Sequence, residues 1–118
     1  MQMNHIDIPV PDVAATRDFF VEHLDFRHIE TKGRDSLSIL KDSGGNVLVL
    51  SHAKSGAAPA DGFHIGFLLD SRAAVDAAYE RLKRTGPRVA NAPNAMRGAW
   101  LFYVEAPGPI LIEIAHRP

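Results

Sequence analysis

The feature that most constrains this chain is an internal repeat, in which a histidine opens two similar segments. The first segment begins His5-Ile6-Asp7-Ile8, and the second begins His64-Ile65-Gly66-Phe67. Superposing the two histidines also places Phe20 on Tyr79. A duplicated unit that returns the same imidazole to the same strand position can bring two metal ligands together. The repeat therefore predicts two similar modules, packed within or between chains, and a shared site.

The pattern of apolar residues predicts an α+β fold built from two modules, each in the order strand-helix-strand-strand-strand (βαβββ). Module 1 covers about 1–52 and module 2 about 63–118, and the Ala-, Gly-, Ser- and Pro-rich stretch 53–62 is predicted to link them. Asp12 is a predicted N-cap for a helix over 13–24, and Ser71 for a helix ending near 85. Residues 91–98 are predicted to form a loop. The predicted strands are 3–10, 26–32, 35–41, 46–52, 63–69, 88–91, 99–105 and 109–116.

Composition excludes several classes of protein. The 118 residues suit one compact domain and contain no cysteine, which removes disulfides and thiolate metal ligands. The net charge is −1, with the signs mixed along the chain, so no nucleic-acid partner is expected. The apolar runs are too short to span a membrane, and the N-terminus has no pattern of a signal peptide. We therefore expect a cytoplasmic protein.

Strand alternation separates three polar side chains from the apolar faces. Apolar residues alternate with His5, His64 and Glu113 along their strands, so each of the three points away from the apolar face of its strand. The apolar residues are Ile6 and Ile8, Phe63 and Ile65, and Ile112 and Ile114. Two imidazoles and a carboxylate suit Fe, Mn, Co, Ni or Zn as divalent ions and leave positions open for substrate oxygens. The alternative for Glu113 is a solvent-facing strand residue.

The ordered set of these segments resembles the vicinal oxygen chelate superfamily. That group includes glyoxalase I, fosfomycin-resistance thiol transferases, extradiol dioxygenases and bleomycin-resistance binding proteins. The resemblance covers nearly the whole chain and implies a single glyoxalase-like domain over 1–118, with His5, His64 and Glu113 at the metal-ligand positions. The motifs that carry it are the two histidine segments, Phe102-Tyr103-Val104-Glu105-Ala106-Pro107 and the final Glu113.

One ligand of the glyoxalase I-like members is missing. Those members carry a fourth ligand, a carboxylate, in the last strand of the first half. Alignment places Val49 or Leu50 there, depending on the turn used, and neither side chain can bind a metal. The resemblance therefore implies a three-ligand site, nearer the fosfomycin-resistance and extradiol types.

Several other residues are predicted to line the substrate pocket. Tyr103 lies on the strand face opposite Trp100 and Phe102, so it is either a proton donor or a pocket wall. Arg97 is the candidate contact for a substrate anion, with a solvated loop arginine as the alternative. The remaining pocket candidates are Asp7, Val49, Leu50 and His52.

Two functions follow from these patterns. The first is a metal-dependent enzyme that uses a divalent ion as a Lewis acid on a small oxygenated substrate bound in bidentate fashion. Its reaction would be lyase or isomerase, thiol-transfer or dioxygenase chemistry. The second is a metal-free binding protein that sequesters a small molecule, as bleomycin-resistance members do. The resemblance further implies a homodimer, with sites shared between the first half of one chain and the second half of the other.

Overall fold

The computed structural model describes residues 1–54 and 59–118, and these form two helices and nine strands. The chain divides into two compact units, Met1–Ala58 and Pro59–Pro118. Part of the predicted linker, residues 55–58, lies outside the described residues. Unit 1 contains β1 His5–Val10, α1 Val13–His23, β2 Arg27–Lys32, β3 Leu37–Lys41 and β4 Val47–His52. Unit 2 contains β5 His64–Leu68, α2 Arg72–Thr85, β6 Arg88–Val89, β7 Asn94–Met96, β8 Ala99–Ala106 and β9 Ile110–His116.

Both helices begin where the sequence predicts. The side chain of Asp12 accepts a hydrogen bond from the Ala15 amide at 2.9 Å, and Ser71 accepts one from the Ala74 amide at 3.1 Å. Each cap satisfies an amide that has no partner within its helix. The two caps occupy equivalent positions of the repeat, so a local signal starts the same element twice.

Unit 1 is a four-stranded sheet in the order β1-β4-β3-β2, covered on one face by α1. β1 runs parallel to β4, and the other pairs are antiparallel. Ile6 shares a side of β1 with the buried Ile8 and Val10 but remains 45% exposed, because β1 is the edge strand of the sheet. The core lies between the sheet and α1, and its largest fully buried side chains are Val10, Thr16, Phe20, Leu40 and Leu50.

Unit 2 repeats this plan with one additional strand. Its sheet has the order β5-β9-β8-β6, with β5 parallel to β9, and β7 also pairs with β8. The prediction of a loop over 91–98 is therefore wrong, because 94–96 form β7. Arg97 and Gly98, with φ of 50° and 76°, make a two-residue hairpin turn between β7 and β8. Two successive positive φ angles are typical of type I′ turns, which match the twist of paired strands.

The α+β fold with two βαβ-based modules is confirmed, apart from this additional strand. Neither helix of the described segments has the length and apolar character needed to cross a membrane.

Candidate functional site

Three of the predicted site residues meet on one face of the unit 2 sheet. Tyr103 on β8 pairs in register with Glu113 on β9, and its hydroxyl donates a hydrogen bond of 2.8 Å to Oε2 of Glu113. Nε2 of His64, on β5, lies 3.8 Å from the same oxygen. The imidazole and the phenol ring also meet edge to face, with centroids 6.3 Å apart. Alternation along three neighbouring strands thus places an imidazole, a phenol and a carboxylate together.

Hydrogen bonds set the same tautomer at both histidines of the repeat. Nδ1 of His64 lies 2.9 Å from the Gly62 carbonyl oxygen, and Nδ1 of His5 lies 2.9 Å from the side-chain oxygen of Asn4. Both oxygens accept, so Nδ1 of each ring carries a hydrogen, and Nε2 is the ring nitrogen that has the lone pair in the neutral imidazole. A histidine that binds metal usually donates its other ring N–H to such an acceptor.

The strand position beside Glu113 on β5 is open. Gly66 on β5 is the register partner of Glu113, and a Cβ built on Gly66 would meet no atom within 4 Å. The Glu113 side chain itself is only 13% exposed. A partly buried carboxylate beside an open position suits a group that binds a cation or a substrate.

Two arginines place positive charge next to this cluster. Nη2 of Arg117 lies 3.7 Å from Oε1 of Glu113, and its Nη1 donates to the Arg97 carbonyl oxygen at 3.3 Å. Arg97, the predicted anion contact, is therefore linked to the cluster through Arg117. Sequence reasoning missed Arg117, although the alternation of Glu113, Ala115 and Arg117 is the signal that could have found it.

The electrostatics of the cluster hold the Tyr103 proton in place. Burial raises the pKa of Tyr103, and the hydrogen bond to Glu113 and the charge of that carboxylate raise it further. The positive charges of Arg97 and Arg117 oppose this shift without reversing it. Tyr103 is therefore a hydrogen-bond donor at neutral pH.

Unit 1 presents a different set of groups on the equivalent face. His5 and Asp7 are exposed on the same side of β1, and the Ser51 hydroxyl donates a 2.6 Å hydrogen bond to Oδ1 of Asp7. His5 pairs in register with Val47, and Asp7 pairs with Val49. Unit 1 therefore contributes one imidazole and a hydrogen-bonded carboxylate.

Strand register identifies the position where unit 1 lacks a carboxylate. Val49 pairs with Asp7 as Glu113 pairs with Gly66, and Ile39 pairs with Val49 as Tyr103 pairs with Glu113. Val49 is thus the equivalent of Glu113, and it lies on the His5 side of the sheet. Leu50 is fully buried on the opposite side, which packs against α1.

The remaining candidate of unit 1 lies apart from these groups. His52 is exposed at the end of β4, where it pairs with Val10. It lies on the same side of the strand as Leu50 and on the opposite side from Val49.

Within residues 1–54 and 59–118, no three His, Asp or Glu side chains lie close enough together to hold a metal ion.

Comparisons with known proteins identify a family and several solved structures that resemble this chain. The model of the Glyoxalase/Bleomycin resistance protein/Dioxygenase superfamily matches residues 2–114. The structure of a possible glyoxalase from Bacillus cereus shares 33% sequence identity with this chain, covers 97% of both chains and has a TM-score of 0.85. No curated protein sequence matches the chain.

Two more distant structures share the fold alone. The lactoylglutathione lyase from Agrobacterium tumefaciens is 18% identical, with coverage of 98% of this chain and 92% of that one and a TM-score of 0.78. The fosfomycin resistance protein FosX from Listeria monocytogenes is 20% identical, with coverage of 100% and 94% and a TM-score of 0.80.

Proposed function

Because this chain belongs to the glyoxalase/bleomycin resistance protein/dioxygenase superfamily, we propose that it is a metal-dependent enzyme acting on a small oxygenated substrate. In this proposal His5, His64 and Glu113 hold one divalent transition-metal ion, and the substrate binds through two oxygens. The observation that carries the proposal is the shared tautomer of the two repeat-matched histidines, each with Nε2 available.

The donor atoms of unit 2 fit such an ion. A metal–nitrogen and a metal–oxygen bond of roughly 2.1 Å each can together span the distance between His64 Nε2 and Glu113 Oε2, which is 3.8 Å. Neutral imidazole and carboxylate are the ligands that Fe, Mn, Co, Ni and Zn share. The open space beside Gly66 leaves room for the ion and a substrate oxygen next to the carboxylate.

The residues around the ligands have distinct roles in this proposal. When bound, the ion supplies Lewis-acid stabilisation of negative charge on a substrate oxygen. Tyr103 orients the Glu113 carboxylate through its hydrogen bond and carries a proton at its phenol oxygen. Arg97 and Arg117 favour a substrate that carries a negative charge near the phenol.

The apolar residue at position 49 narrows the range of reactions that the proposed site could catalyse. A glyoxalase-type isomerisation uses a carboxylate at this position both as a ligand and to move a proton, a role typically worth about 10²–10⁴-fold in rate. With Val49 there, we expect negligible turnover of the glutathione–methylglyoxal hemithioacetal. Chemistry in which Lewis-acid stabilisation of charge is the main requirement, such as thiol addition to an epoxide, fits these residues better.

A second copy of the chain is the proposed source of the third ligand. β1 and β5, the strands that carry His5 and His64, are both edge strands of their sheets. Ile6 on β1 and Leu68 on β5 are 45% and 68% exposed. Edge strands with exposed apolar side chains are protected when a partner covers them. In the proposed homodimer, His5 of one copy joins His64 and Glu113 of the other.

Metal loading tests the proposal directly. Protein stripped with a chelator and reconstituted with Mn, Fe, Co, Ni or Zn should bind about one ion per chain, in keeping with one open-sided site per chain. The variants His5→Ala, His64→Ala and Glu113→Ala should lose the ion. The exposed His28 and Glu105 provide the matched controls His28→Ala and Glu105→Ala, which should retain it. A stoichiometry near zero with all five metals would contradict the proposal.

A metal-free binding protein is the second candidate, and one observation favours it. Unit 1 carries Ile39 and Val49 at the positions where unit 2 carries Tyr103 and Glu113, so the equivalent face of unit 1 is apolar at these positions. An apolar face of this kind suits binding of the apolar part of a small molecule. This candidate predicts no stoichiometric metal, together with ligand binding that the Glu113→Ala change leaves intact.

A further inference from the structure

A cleft of about 410 Å³ lies at the end of the unit 2 sheet where α2 begins. Its walls include Arg72 at the start of α2, Ala95 on β7, Trp100 on β8 and His116 at the end of β9. None of the three proposed metal ligands, His5, His64 and Glu113, lines the cleft. Small-molecule sites commonly have volumes of about 300–1,000 Å³, so the cleft is large enough for a small ligand.

The indole of Trp100 forms a fixed flat wall. Its Nε1–H donates a 2.8 Å hydrogen bond to Oδ1 of Asp76 on α2, which holds the orientation of the ring. The neighbouring positions are small. The register partner of Trp100 is Ala95, and a Cβ built on Gly98 would meet nothing within 4 Å. The missing side-chain volume leaves space beside the indole that a planar group can fill.

Arg72 contributes a positive charge to the cleft. The guanidinium carbon of Arg72 lies 5.0 Å from the centre of the Trp100 ring, and across the two described segments no carboxylate forms an ion pair with Arg72. A guanidinium stacked on an aromatic face still presents N–H donors suited to a carboxylate.

His116 adds a positioned polar group. Its Nδ1 lies 3.0 Å from the Leu69 carbonyl oxygen, which can only accept, so Nδ1 carries the hydrogen. Nε2 is then the ring nitrogen left for a ligand. The wall of the cleft therefore combines a flat aromatic face, an arginine and an imidazole.

From these contacts we infer that the cleft binds a small aromatic carboxylate. Its ring lies beside the Trp100 indole, and its carboxylate pairs with Arg72. Both parts of the ligand are required, because the aromatic wall and the guanidinium line the same cleft. This site is separate from the metal cluster of the proposed function.

Tryptophan fluorescence provides the test, since Trp100 is the only tryptophan of the chain. Titration of the full-length protein with benzoate should change the emission and saturate. Benzyl alcohol, which has the ring without the charge, and acetate, which has the charge without the ring, should bind at least roughly tenfold more weakly, because each lacks one of two required contacts. Arg72→Gln should weaken benzoate binding to the same extent, and Ala95→Phe should abolish it by filling the cleft.

Matched variants separate this site from its alternatives. Arg84→Gln removes the same charge from an exposed position in the last turn of α2, and it should bind benzoate as the wild type does. His64→Ala should also bind benzoate normally, whether or not the proposed function is correct. An unsaturable response of the wild type, equal loss in the Arg72→Gln and Arg84→Gln variants, or loss in His64→Ala would each overturn the inference.

Discussion

The phenol oxygen of Tyr103 lies 2.8 Å from Oε2 of Glu113, and the two residues are register partners on β8 and β9. On its other side Glu113 faces Gly66 and His64 of β5. The carboxylate is thus held by a donor from one neighbouring strand and approached by an imidazole from the other. This arrangement makes Tyr103 a positioning residue, since its hydrogen bond orients the Glu113 carboxylate.

Replacing Tyr103 with Phe tests this role. The change removes the hydrogen bond to Glu113 while keeping the ring that packs against Leu101 and Ala115. Loss of such an outer partner typically weakens metal affinity by about 10–100-fold, so we expect a decrease of that order with the fold retained. Metal titration followed by calorimetry measures it. Tyr79→Phe, on α2 against Phe102, is the control. Unchanged affinity in Tyr103→Phe would contradict the positioning role.

Adding a carboxylate at position 49 should create a fourth ligand. Val49 is the register equivalent of Glu113, so Val49→Glu is expected to tighten metal binding while the protein remains folded. Val47→Glu, one pair away on the same strand side, should leave the affinity near that of the wild type. Leu50→Glu should unfold the protein, because it buries an unpaired charge in the core. Metal affinity and thermal unfolding distinguish these outcomes, and tighter binding in Val47→Glu alone would show that the equivalence is wrong.

Mixed dimers test whether the site is shared between copies. His5→Ala and Glu113→Ala proteins each lack one proposed ligand, so neither alone should bind the ion. If they are unfolded and refolded together, half of the sites in a mixed dimer keep all three ligands. We therefore expect metal content to recover in part, measured on dimers verified by native mass spectrometry. The absence of recovery in verified mixed dimers would place all three ligands within one chain.

Stability at acid pH should depend on Asp42. Burial acts to raise the pKa of this residue, but hydrogen bonds from Asn46, Gly44 and Gly45 lower it overall. A carboxyl whose pKa is lowered on folding stabilises the protein above its unfolded pKa of roughly 3.9, and this stabilisation is lost as the pH falls through the folded value. Asp42→Asn should therefore reduce the free energy of unfolding at pH 7 and weaken its dependence on acid pH.

Urea unfolding at neutral and acid pH measures this effect. Asp61→Asn is the control, because it removes the same charge from an exposed position. Parallel stability curves for the wild type and Asp42→Asn across the acid range would contradict the role assigned to Asp42.

Local signals in the sequence were enough to predict most of the secondary structure. Asp12 and Ser71 start the helices because a cap acts on amides three residues away. The alternation around Glu113 and Tyr103 predicted that both side chains point away from the apolar faces of their strands, because successive side chains of a strand point to opposite sides. The meeting of these two residues with His64 agrees with that reasoning, whereas their role in binding metal stays a prediction.

Features that depend on pairing between strands could not be read from the sequence. The choice between Val49 and Leu50 rests on the register of β4 against β1, and a shift of one residue would exchange the two faces. β7 exists because its three residues pair with β8, and so short a segment has too little pattern of its own to be recognised. The sequence by itself thus determined the caps, the strand faces and the repeated histidines. Only the tertiary structure decided the register, the additional hairpin and the hydrogen bond between Tyr103 and Glu113, because these are contacts between elements whose alignment no single segment encodes.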